Sequence, residues 1–176
     1  MRRKIYQQLL DWKKNRNGEV ALLVEGARRI GKSYIVEEFG KNEYESYILI
    51  DFNKAPQMVR DWFDLYLEDL DTLFLYLSQH YKVRLHERKS LIILDEVELC
   101  PRARAAIKFL VKDGRYDYIE TGSLVSIKKN TQGIVLPSEE RPIQMYPMDF
   151  EEFLWATGND MLMDFIRKMY EEQKPM

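Results

Sequence analysis

The sequence predicts an α/β fold in three layers, a parallel sheet with helices on both faces. Three observations predict it. Short aliphatic runs alternate with segments of helical periodicity along the 176 residues. One such run, Glu19–Glu25, leads directly into Gly26-Ala27-Arg28-Arg29-Ile30-Gly31-Lys32-Ser33 and then into a helical stretch. Another, Leu91–Leu94, ends on Asp95-Glu96. Unbroken apolar runs of this kind suit strands covered on both faces, and parallel strands are covered in that way.

Each element follows from local pattern. Ile5, Leu9 and Trp12 fall on one face of a first helix that ends near Asn17-Gly18. The first strand comes next, and then a helix with Ile35, Val36 and Phe39 inward and Gly40 as its expected C-cap. Tyr47–Ile50 reads as a second strand with Asp51-Phe52 at its end. From about Pro56 to Tyr81 the apolar spacing is helical throughout. After the Asp95 strand, Pro101 opens a helix that Gly114 closes. Tyr116–Thr121 is a fourth strand and Ile143–Tyr146 a fifth, joined by an expected exposed loop from about Asn130 to Pro142. Asp149 and Glu152 have capping-box spacing, and a last helix carries Met161, Leu162, Phe165, Ile166 and Met169.

The spacing G-x-x-x-x-G-K-S between a strand and a helix is the requirement for wrapping a polyphosphate. Gly26 and Gly31 admit dihedrals and close approaches that a Cβ would block. Lys32 opens a helix whose unpaired N–H groups face the anion, its ammonium can reach the β- and γ-phosphates, and the Ser33 hydroxyl can coordinate Mg²⁺. Ligands of open parallel sheets bind beyond the carboxyl ends of the strands. Asp95 and Glu96 lie at such an end, so neighbouring strands would bring Asp95 to the metal and Glu96 to a water near the γ-phosphate.

Composition narrows the function. The chain is 45% hydrophobic and 32% charged, as one globular domain with a full core requires. Its net charge of −2 argues against strong sequence-independent binding of nucleic acid. The basic clusters Arg2-Arg3-Lys4, Lys13-Lys14, Arg28-Arg29 and Lys128-Lys129 are interleaved with acids and read mostly as solvated surface. A single cysteine, Cys100, rules out an internal disulfide and fits a reducing cytoplasm. His80 and His86 lack partners at metal-site spacing, so no zinc is expected, and no apolar run has membrane-spanning length.

Taken together, these motifs resemble the bacterial and archaeal AAA+ superfamily ATPases that carry a C-terminal domain of unknown function. The resemblance rests on Arg3-Lys4-Ile5-Tyr6, the loop at 26–33, Leu-Asp-Glu-Val at 94–97, Thr-Gly-Ser at 121–123 and Pro-Met-x-Phe-x-Glu-Phe at 147–153. It implies a P-loop NTPase sandwich with a five-stranded parallel sheet in AAA+ order, binding of ATP and Mg²⁺, and hydrolysis. Carried over by position, it places Gly26, Ala27, Arg28, Arg29, Ile30, Gly31, Lys32, Ser33 and Tyr34 around the nucleotide. Ser33 and Asp95 hold the metal, Lys32 holds the β/γ-phosphates, and Glu96 is the catalytic base. Either Thr121 or Ser123 stands where the γ-phosphate is sensed. Arg141 lies near a family arginine that reaches a neighbouring subunit's nucleotide, although a plain surface arginine is the better reading. Relatives continue into a helical lid and a further domain. The expectation here is therefore one AAA+ core domain over 1–176, with weak nucleotide affinity and slow turnover by itself.

Two functions stay open at this level. One is an ATPase driving a conformational change on an unknown protein partner or a missing C-terminal domain. The other is a nucleotide-dependent switch with little hydrolysis. A small-molecule phosphotransferase is weaker, because no arginine-rich lid segment is evident.

Overall fold

A computed structural model describes residues 2–16, 18–123 and 138–173. In chain order the elements are α1 (Ile5–Arg16), β1 (Ala21–Gly26), α2 (Lys32–Glu43), β2 (Ser46–Asp51), α3 (Gln57–Leu65), α4 (Leu70–Tyr81) and β3 (Ser90–Asp95). They continue with α5 (Pro101–Asp113), β4 (Asp117–Ser123), β5 (Glu140–Met145), α6 (Phe150–Ala156) and α7 (Asp160–Glu171). A single 3-10 turn at Val97–Leu99 links β3 to α5.

The five strands form one sheet in the order β2-β3-β4-β1-β5. Every pairing is parallel. This arrangement sets β1, β3 and β4 side by side and brings their carboxyl ends together. Strand residues alternate between two cores. Ala21, Leu23, Ile48, Ile50, Ile92, Leu94 and Tyr118 meet the face built with α3, α4 and α5. Leu22, Val24, Leu91, Ile93 and Ile119 meet α1 and α2. Every residue of β3 is buried, as its unbroken apolar run requires. β5 is an edge strand, which is where a proline such as Pro142 is tolerated.

Local signals account for several boundaries. Pro101 opens α5 and Gly114 closes it in the left-handed conformation. The capping box at α6 is formed in both directions, with Glu152 N–H donating to Asp149 and Asp149 N–H to Glu152. Other expectations are corrected. Gly40 lies inside α2, which runs on to Glu43, and the absence of a side chain there lets the Tyr47 ring pack at ordinary distance. The helical stretch from 57 to 81 breaks over 66–69, where Asp69 caps the N-terminus of α4 through the Thr72 amide. β5 begins at Glu140, so the end of the anticipated connecting loop is strand. Lys128, Lys129 and the loop residues 130–137 lie outside the described residues. Among the described residues no helix is long and apolar enough to cross a membrane.

Candidate functional site

β1 delivers its last residue, Gly26, against the neighbouring edge strand so closely that a Cβ there would collide with the Met145 carbonyl oxygen. The chain turns through Arg29 at φ 64° and Gly31 at φ 93°, and α2 begins at Lys32. The amides at the start of α2 have no intrahelical acceptors, and the positive end of the helix lies beside them. The Lys32 ammonium folds back over the loop, donating to Gly26 O at 3.2 Å and Ala27 O at 2.7 Å. Burial pulls its pKa down and the nearby Arg28 charge adds to this, while Glu96, Glu98 and Asp95 act in the opposite direction.

Beneath the lysine runs a connected set of polar groups. Ser33, at the start of α2, lies close enough to the Asp95 carboxylate to help hold its pKa down. Thr121 donates its hydroxyl hydrogen to Asp95 Oδ1 and accepts the Glu96 amide at 3.0 Å. One hydroxyl thereby sets both members of the acidic pair. Burial raises the Asp95 pKa, with Thr121 and Ser33 acting against it. Glu96 is left-handed at φ 55°, a conformation that costs a non-glycine residue about 1–2 kcal/mol. Burial raises its pKa too, reinforced by the charges of Glu98 and Asp95.

The sequence-predicted residues thus divide. Lys32, Ser33, Asp95, Glu96 and Thr121 are brought together. Ser123 pairs in register with Gly26, at the start of the loop, and its amide donates to Glu98 Oε1 at 3.0 Å. Ala27, Arg28 and Arg29 are exposed loop residues, Ile30 packs toward the α1–α2 core, and Tyr34 is 44% exposed. Arg141 is not brought to the site. It pairs with Leu22 at the amino end of β5, on the far side of the sheet from the loop.

Beside the loop and the acidic pair, the buried charges Glu98 and Arg3 escaped the sequence reading. Glu98 follows the acidic pair, and the 3-10 turn tucks it against the end of β4. Arg3 sits in a cluster read as solvated surface, yet it is 4% exposed. Its guanidinium donates to Ile30 O in the loop, to Tyr146 O after β5 and to Glu152 at the start of α6. The capping-box spacing signalled Glu152, but nothing local signals its partner 149 residues away. Next to this group a cavity of about 470 Å³ opens between α1, α2 and α6, walled by Tyr6, Gln7, Ile35, Asn42 and Trp155 among others.

The residues present fit a magnesium nucleotide. Ser33 and Asp95 offer the hard oxygen donors that Mg²⁺ takes, and Lys32 and the open helix end offer what a polyphosphate takes. Sheet order, parallel pairing and the loop between β1 and α2 define a P-loop domain of the AAA+ type. The sequence profile of the AAA domain matches residues 19–154, and the chain belongs to that family. An uncharacterized protein of Haemophilus influenzae is 24% identical over 94% of this chain and 40% of its own length. An uncharacterized protein of Methanocaldococcus jannaschii is 26% identical over 78% of this chain and 28% of its own. The chain therefore spans less than half of these curated relatives. Among solved structures, that of C. elegans PCH-2 covers 93% of this chain and 45% of its own at 10% identity, with a TM-score of 0.43.

Proposed function

We propose that the chain binds ATP with Mg²⁺ and hydrolyses it, and that hydrolysis drives a conformational change on a protein partner. The observation that carries this reading is the linkage of Asp95 to Glu96 through the Thr121 hydroxyl, with Lys32 and Ser33 beside Asp95. Ser33 and Asp95 would hold Mg²⁺, which would supply positive charge to stabilise the transferred phosphoryl group. Lys32 exchanges the Gly26 and Ala27 carbonyls for phosphate oxygens as the anion enters the loop. Glu96, placed by the Thr121 hydroxyl and with a raised pKa, orients a water and accepts its proton as the water attacks the γ-phosphorus and the bond to the bridging oxygen breaks, releasing ADP. Thr121, which links Asp95 to Glu96, or Ser123, in register with Gly26, stands where the γ-phosphate is sensed.

Steady-state phosphate release by the wild type and by Glu96→Gln tests the reading. Turnover that the substitution abolishes while MgATP binding persists supports it. Turnover that Glu96→Gln leaves intact contradicts it. The second reading, a switch that binds ATP and hardly hydrolyses it, is favoured by the α6–α7 pair. Phe150, Phe153, Met161 and Phe165 there are all more than half exposed, a surface suited to a partner. Nucleotide binding without measurable phosphate release would select that reading.

A further inference from the structure

Arg3 and Glu152 belong to motifs at opposite ends of the chain, and the catalytic scheme above uses neither. Both are buried, at 4% and 5% exposure, and they pair through Arg3 Nε and Glu152 Oε1 at 3.2 Å. Burying an arginine and a glutamate is costly unless their hydrogen-bonding capacity is well met, and here it is. Arg3 gives Nη1 to Ile30 O at 3.0 Å and Nη2 to Tyr146 O at 2.7 Å. Glu152 accepts the Lys4 amide at 2.7 Å as well as the Asp149 amide of the capping box. The guanidinium lies directly under the turn, since a Cβ built on Gly31 would have Arg3 Nη1 as its nearest neighbour at 3.8 Å.

The contact with Ile30 O has a directional consequence. The Ile30 carbonyl and the Gly31 N–H belong to one planar trans peptide, in which the two bonds point in opposite directions. Drawing the carbonyl onto Arg3 therefore turns the Gly31 N–H away from Arg3. Its second contact, to Tyr146 O, holds β5 at the place where β5 already abuts Gly26. Its third, to Glu152, anchors the same guanidinium to the first turn of α6. From there Glu151 continues to Arg167 on α7 at 2.7 Å.

We propose that Arg3 is a positioning residue for the phosphate loop. It orients the Ile30–Gly31 peptide for anion binding and, through Glu152, ties that orientation to the α6–α7 pair. A planar fork is needed to serve three acceptors in different directions, which a lysine ammonium cannot reproduce. The role presumes the nucleotide reading given above, so its test has an arm that does not depend on nucleotide.

The experiment compares wild type, Arg3→Lys and Glu152→Gln by calorimetric titration with MgATP and by amide hydrogen exchange without nucleotide. Glu152→Gln retains an acceptor for the Lys4 amide and decides the matter should Arg3→Lys not fold. The expected result is faster exchange over residues 27–33 in both variants and MgATP affinity lowered about tenfold or more in Arg3→Lys. Exchange over 27–33 and affinity both equal to wild type, with faster exchange confined to residues 147–171, would overturn the proposal and leave the pair a helix anchor. A wild type that binds no MgATP, but whose variants loosen residues 27–33, defeats the nucleotide reading and leaves Arg3 as the residue that shapes the loop.

Discussion

Two groups of buried acids lie on the same sheet and differ in what surrounds them. Asp95 and Glu96, at the carboxyl end of β3, have raised pKa values, and so does Glu120 in the middle of β4. Burial is the leading cause in all three. Glu120, however, is fully enclosed, and among the described residues no donor reaches either of its oxygens. Its neighbour is Glu140 on β5, which Arg104 of α5 grips with two hydrogen bonds at 2.8 and 3.0 Å. The consistent arrangement is a proton kept on Glu120 and shared toward Glu140, with Arg104 balancing the remaining charge. The Asp95 group instead meets a lysine, two hydroxyls and the open end of a helix. A raised carboxylate pKa therefore does not by itself mark a site. Access and convergent partners do.

Four changes would break or sharpen this contrast. The largest effect belongs to Arg104→Ala, which leaves two buried acids without their cation. It is expected to cost about 3–5 kcal/mol of stability by urea unfolding, with little change in how the folded fraction binds MgATP. Glu96→Gln should do the reverse, lowering turnover at least about a hundredfold with stability nearly unchanged. Thr121→Val strips a hydrogen bond from Asp95 and from the Glu96 amide together, at about 1–3 kcal/mol in unfolding experiments.

Glu120→Gln has the smallest effect, and pH reveals it. A glutamic acid whose native pKa is raised holds a proton that the unfolded chain releases above about 4.5. That stabilisation is complete below this value and is lost as pH rises through the native one. Wild-type stability measured from about pH 5 to about pH 8 should therefore carry a downward contribution that Glu120→Gln removes. Parallel profiles for the two proteins would show that Glu120 is ionised in the fold.

Where the arrangement is local, the sequence made it legible. The loop at 26–33 and the pair Asp95-Glu96 were readable because a strand end, a glycine turn and a helix start are contiguous signals. Pro101, Gly114 and the Asp149–Glu152 box were readable for the same reason. Groups defined by tertiary contact were not. Arg3 looked like one charge in a solvated run, and Arg104, Glu120 and Glu140 carry no mark that separates them from surface residues. Each is explained by partners between 20 and 149 residues away. Gly40 misled for a related reason. A glycine near a helix end usually caps it, and only the Tyr47 ring shows that this one serves close packing.

The central claim is that the loop between β1 and α2 holds a magnesium nucleotide through Lys32. Calorimetric titration of the wild type and of Lys32→Ala with ATP, with and without Mg²⁺, tests it most directly. The account predicts magnesium-dependent binding by the wild type and its loss in the variant. Equal binding by both proteins, or none by the wild type, would contradict it.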